Sequence, residues 1–166
     1  MAILTHCSDR YLCHRPVGAI LTGVEVRQAP GPPAITARGP LVLLGVVVVI
    51  VVAYVAGVVV PYYVNDLDRL PLAEVAGGAH DPTEMWPATA GPWGYLLHGV
   101  GAYAVSLGHF ALTFAAGGSL AGLALLWSHL SAAARRALGT VVAVAGTSFV
   151  VMASNWGQAL ATWTLD

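Results

Sequence analysis

The chain reads as an all-α membrane protein, with three transmembrane helices and short helices in the loop between the first two. Three observations predict this class. The 166 residues are 57% hydrophobic and only 9% charged, whereas a soluble domain carries roughly 25% charged residues. Mean hydropathy is +0.74, so there are too few polar groups to cover a globular surface in water. The charged residues that do occur lie between or beyond three long uncharged stretches. Formal net charge is −1, and all seven basic residues are Arg. No basic field argues for nucleic acid.

The first stretch, "LVLLGVVVVIVVAYVAGVVV", covers residues 41–60. At 1.5 Å per residue such a helix spans about 30 Å, the thickness of the hydrocarbon. Its many valines would favour a strand in water. In lipid an open strand leaves its backbone groups unpaired, so the helix wins. A cleaved signal peptide would need an apolar region of about 7–15 residues and a small-residue cleavage site. This run is longer and ends in Pro61-Tyr62-Tyr63. The span is set at about 41–61, followed by a loop over 62–94.

The second stretch runs from Tyr95 to Trp127 and is longer than a bilayer needs. It predicts one helix at about 98–127 that extends beyond the membrane. The third, "LGTVVAVAGTSFVVMASNWG", predicts a span at 138–157. Its Thr and Ser residues can bond to their own backbone or to a neighbouring helix. Tyr62, Tyr63, Trp86, Trp93, Trp127, Trp156 and Trp163 fall near the predicted helix ends. Amphipathic rings favour the membrane interface there.

Arginine placement predicts the threading. Arg10, Arg15, Arg27 and Arg38 precede the first span, and Arg135 and Arg136 lie between the second and third. The 62–94 loop has only Arg69, and the C-terminal tail has none. Basic segments stay in the cytoplasm. The expectation is a cell-membrane, multi-pass protein with its N-terminus cytoplasmic and its C-terminus outside. Residues 1–40 read as a flexible cytosolic tail, with "APGPPA" as linker. Residues 41–166 form the membrane domain. In the tail, His6-Cys7 and Cys13-His14 form two ligand doublets, but their spacing is wider than a zinc knuckle.

The outer loop, "PYYVNDLDRLPLAEVAGGAHDPTEMWP", holds five of the eight acids. Asp81-Pro82-Thr83-Glu84 suits a helix start, with Asp as cap, Pro at the first position and Glu reaching back. "PLAEVAGG" offers a second short helix with Gly77 at its end. Leu70, Leu72 and Val75 would press these helices on lipid or on the third span. The calcium-loop pattern fails: counting from Asn65, Leu70 and Ala76 stand where Gly and Glu are needed. His80 with Asp81 and Glu84 lacks a further Cys or His for zinc. No metal site is assigned.

Two histidines fall inside the second span. His98 and His109 are eleven residues apart, which returns them to nearly one face, three turns along. Such residues bind a cofactor or pack toward a polar partner. Haem is the cofactor they would serve, although its other ligand would have to come from another chain. The bland reading has His109 bonding Thr147 or Ser148. Gly118 with Gly122, Gly117 with Ala121, and Ala53 with Gly57 have the spacing that lets helix backbones approach closely. No nucleophile elbow, phosphate loop or metalloprotease motif occurs, so no catalytic residue is assigned.

The run 61–87, with the closing "ATWTLD", resembles small integral membrane proteins of high-G+C Gram-positive bacteria whose function is unknown. The resemblance covers roughly residues 41–166. It implies a bacterial cytoplasmic-membrane protein and transfers no active residue. The function expected from the residues is a non-enzymatic accessory or interaction subunit of a membrane assembly. It would contact the lipid bilayer and other membrane subunits. The alternative is a haem-binding redox anchor using His109 and His98.

Overall fold

A computed structural model describes residues 35–78 and 80–166. Residues 1–34, which hold most of the expected tail and both Cys/His doublets, lie outside the described residues. The three spans are α1 (Arg38–Val64), α3 (Pro92–His129) and α4 (Ala132–Ala153), all long and apolar enough to cross a membrane. Between α1 and α3 lie the one-turn helix α2 (Leu72–Val75) and three 3-10 turns, Leu67–Arg69, Pro82–Glu84 and Ala88–Ala90. A final helix, α5 (Asn155–Leu165), follows α4. The three long helices pack on one another, and α5 packs on α2, α3 and α4.

The surface of the bundle is compatible with lipid contact. Only 22%, 17% and 28% of the most apolar windows of α1, α3 and α4 are buried inside the protein. Val49, Phe110, Phe114 and Leu125 are about two-thirds exposed or more. An apolar surface of this extent is not tolerated in water. The interior is a narrow line that runs through Val47, Val58, Leu112, Val141, Ala145, Met152 and Leu160 and also holds the larger Tyr54, Tyr62 and Trp163.

All three spans differ from their expected limits. α1 carries Pro61 inside it. Pro61 has no N–H for the carbonyl of Gly57, and its ring would strike that carbonyl in a regular α-helix. The helix widens instead: through Val55–Val59 it is a π-helix, and the Val60 N–H bonds to the oxygen of Val55, five residues back. α3 begins at Pro92, six residues before the expected start, with Pro at its first position and Gly91 before it at φ 88. α4 begins at Ala132 rather than 138. The Ser131 hydroxyl accepts the N–H of Ala134 at 3.2 Å, so Arg135 and Arg136 belong to the first turn and a half of the helix.

The third span also ends earlier than 157. Ser154 leaves the helix at φ −68, ψ 161. Its hydroxyl accepts the N–H of Gly157 at 3.2 Å and starts α5. A Cβ at Gly157 would strike the carbonyls of Val151 and Met152, so only glycine permits so tight a corner.

At the opposite end, Ile35 bridges the α3–α4 link. Its N–H donates to the His129 carbonyl at 2.8 Å, and its own carbonyl accepts from Ser131 at 3.2 Å. The start of α1 and the α3–α4 link therefore share one end of the bundle, here the arginine end. The 65–91 loop and α5 share the other, acidic end.

Candidate functional site

The acidic end is a folded cap. Asn65 closes it: its Nδ2 donates to the carbonyls of Pro61 and of Trp86, each at 2.8 Å. The two ends of the loop are thereby tied through one amide. Asp66 follows in the left-handed region at φ 57, and its carboxylate pairs with Arg69 at 3.0 Å. The side chains of that pair are 64% and 76% exposed, so it contributes little.

Asp81 caps the Pro82–Glu84 turn. One carboxylate oxygen accepts the Thr83 hydroxyl at 2.6 Å and the Thr83 N–H at 2.8 Å. These bonds, the hydroxyl foremost, hold the Asp81 carboxyl below the usual carboxylate range. The turn is 3-10 and too short for the expected reciprocal bond. Glu84 contributes its main-chain N–H to the Asp81 carbonyl at 3.1 Å, not its side chain. α2 ends at Val75 with Ala76 as its C-cap; the Gly77 N–H, next in the chain, donates to the Glu74 carbonyl at 3.1 Å, and Gly78 follows at φ 70.

The cap rests on α5, not on the third span. Val75 is fully buried, and Leu67 nearly so. The Trp163 indole N–H donates to the carbonyl of His80 at 3.0 Å. The His80 ring lies 3.6 Å from Glu74 through Nε2 and Oε1. Among the described residues, no group of three or more His, Cys, Asp or Glu converges as metal ligands do.

The aromatic residues divide between two roles. Trp93, Tyr63 and Trp127 are more than half exposed, as interfacial rings are. Tyr62 and Trp163 are core, at 4% and 2% exposed. Tyr62 meets the Trp156 ring edge to face, with centroids 6.0 Å apart.

His98 and His109 do not share a pocket. His98 is half-buried near the cap, its ring 6.3 Å from that of Tyr95. His109 lies roughly 16 Å further along α3. Its Nδ1 is 3.3 Å from the carbonyl of Val105, and its ring meets Phe149 edge to face at 6.2 Å. Its Nε2 is buried and meets no partner among the described residues, Thr147 and Ser148 included.

Cavities lie along the bundle, and two of them adjoin α1. One of about 220 Å³ is lined by Val51, Tyr54, Leu112, Thr147, Ser148 and Trp156, among others. A second, of about 390 Å³, lies between α1 and α3 beside Ala53, Tyr103 and Gly108. His98 and His109 line neither.

The small residues divide as well. Gly57 meets Gly101: a Cβ on Gly57 would lie 2.6 Å from the Gly101 Cα, and a Cβ on Gly101 would lie 2.6 Å from the Gly57 oxygen. The carbonyl that Pro61 deprives of its helical donor thus faces the backbone of α3. Ala53 packs against the same core. Gly122 is in ordinary contact range of Leu138, at 3.7 Å for an added Cβ. Gly117 and Gly118 face away from the bundle, where an added Cβ meets no atom of the described residues within 4 Å.

Sequence reasoning missed Asn65, Gly101, Ser154 and Trp163 as positioning residues. Only Ser154 carried a local signal, as a cap residue ahead of "NWGQAL". The partners of the other three are remote in the chain.

Fold and cap together define an integral membrane protein, all-α, with three spanning helices and a folded polar cap at one end. No family model, curated protein or solved structure matches the chain.

Proposed function

We propose that this protein is a non-enzymatic accessory subunit that binds another membrane protein through α3. One observation carries the reading. The bundle uses Gly57 and Gly101 for its own close contact and leaves Gly117 and Gly118 open. Glycine on an open helix face loses helix propensity without packing the monomer. A partner helix approaching that face would recover the contact. The acidic cap faces outside with the C-terminus, and the arginine end faces the cytoplasm of a bacterial cell. The arginine asymmetry supports this orientation. Mass spectrometry of material co-purified from native membranes tests the reading. A stoichiometric partner present with wild type and lost with Gly118→Ile supports it. Purification alone, or a partner indifferent to Gly118→Ile, overturns it.

A second reading, haem anchorage, has behind it the Nε2 of His109, buried and without a hydrogen-bond partner among the described residues. A visible spectrum of the purified protein decides: a Soret band lost in His109→Ala supports it, and its absence removes it.

A further inference from the structure

The described charges separate almost completely along the bundle. Asp66, Asp68, Glu74, Asp81, Glu84 and Asp166 all belong to the cap end. Arg38, Arg135 and Arg136 stand at the opposite end, and among the described residues none of them forms an ion pair with a carboxylate. Ile35, held between His129 and Ser131, brings the first residue of α1 next to the link that leads into Arg135 and Arg136.

Arg135 is held in place. Its Nε donates to the Leu130 carbonyl at 3.1 Å, and its guanidinium carbon lies 4.8 Å from the ring centre of Trp127. Stacking on an indole and one bond through Nε fix the guanidinium plane without engaging either Nη group. Those groups form the fork that matches a phosphate. Arg136 is exposed beside it, as is Arg38. Trp127, against which Arg135 stacks, is 55% exposed, and Leu125, two residues before it at the end of α3, is 80% exposed.

We propose that this arginine end is a docking surface for the head groups of anionic phospholipids. Charge complementarity selects an anion, and the adjoining apolar collar selects one attached to a hydrocarbon tail. A free phosphate would meet the guanidinium groups and gain nothing from Leu125 or Trp127. A phospholipid meets both at once, its phosphate at the arginines and its chains along the exposed face of α3. This inference goes beyond the interaction reading and does not depend on it.

The test is native mass spectrometry of the full chain in neutral detergent, with phosphatidylglycerol and phosphatidylcholine of identical acyl chains at equal concentration. Wild type should retain phosphatidylglycerol in clear preference. Arg136→Gln, at an exposed position, should reduce that preference roughly fivefold, and adding Arg135→Gln should reduce it by about the same factor again. Arg69→Gln, at the other end, should leave it unchanged. Excess inorganic phosphate should not displace the bound lipid. Equal retention of the two lipids overturns the proposal and leaves the arginines to a protein partner. So does displacement by phosphate, or a preference that survives in the double variant.

Discussion

The indole N–H of Trp163 reaches the main-chain carbonyl of His80 at 3.0 Å, joining residues 83 apart in the chain. The C-terminal helix is thereby the floor on which the acidic loop lies. Trp163→Phe keeps the ring but removes the donor, and should cost about 1 kcal/mol. Trp163→Ala also opens a cavity and should cost about 3–5 kcal/mol. Proteinase K nicking of the 66–91 loop measures both, with faster cleavage expected in that order. A loop as resistant in Trp163→Ala as in wild type would mean that α5 does not support it.

The Gly57–Gly101 contact predicts a contrast within one helix. Gly101→Ala places a Cβ against the Gly57 oxygen, so α1 and α3 must separate, at about 1–3 kcal/mol. Gly118→Ala meets nothing and gains up to about 1 kcal/mol in helix propensity. Unfolding by titration with a denaturing detergent should rank Gly118→Ala at or above wild type and Gly101→Ala below. The opposite ranking would contradict the packing.

Asn65 makes both of its side-chain bonds as a donor, to the carbonyl of Pro61 four residues back and to that of Trp86 across the loop. Asn65→Asp keeps the shape and replaces that donor with an anionic acceptor facing two carbonyl oxygens. The penalty should be about 1–3 kcal/mol, the cost of leaving polar groups without their partner at this partly buried site. It should ease at low pH, where the protonated acid can donate one bond. Thermal unfolding at neutral and acidic pH checks this. A variant equally stable at both would show that the amide is not the clasp.

The Asp81 cap predicts a pH response of definite sign. The Thr83 hydroxyl, and then the Thr83 N–H, stabilise the carboxylate and lower its pKa. The stabilisation is fully present above the unfolded value of about 3.9 and is lost as pH falls through the lowered folded value. Thr83→Val removes the first of these bonds, so the Asp81 pKa should move back up. An NMR titration of the Asp81 carboxyl follows both. A wild-type value at or above that of an unfolded chain would contradict the cap.

Several elements were legible from local patterns. Residues 41–60 read as a spanning helix rather than a signal peptide from their length and their Pro61-Tyr62-Tyr63 ending, and Asp81-Pro82-Thr83 announced its turn. Hydropathy misplaced the start of α4 because Arg135 and Arg136 interrupt the apolar run, although arginine is a good helix former and Ser131 supplies a cap. It misplaced the end of α4 because Ser154 looked like a polar residue inside a span. In fact it ends one helix and caps the next. α5 went unread because its eleven residues are too short to span and its apolar side chains cover the cap instead of lipid.

Composition and charge order alone determined that the chain carries three helices long and apolar enough to cross a membrane, and which segments share an end. In lipid a helix satisfies its backbone groups within the segment, which is why such apolar runs fold as helices. Only the tertiary structure decided which glycines touch. Small-residue spacing marks a helix face but carries no information on its partner, and Gly57 found Gly101 rather than Gly118. The structure also decided that Tyr62 and Trp163 are core and not interfacial belt. That choice depends on α5 folding back over the loop, a contact between residues far apart in the chain that no local pattern encodes.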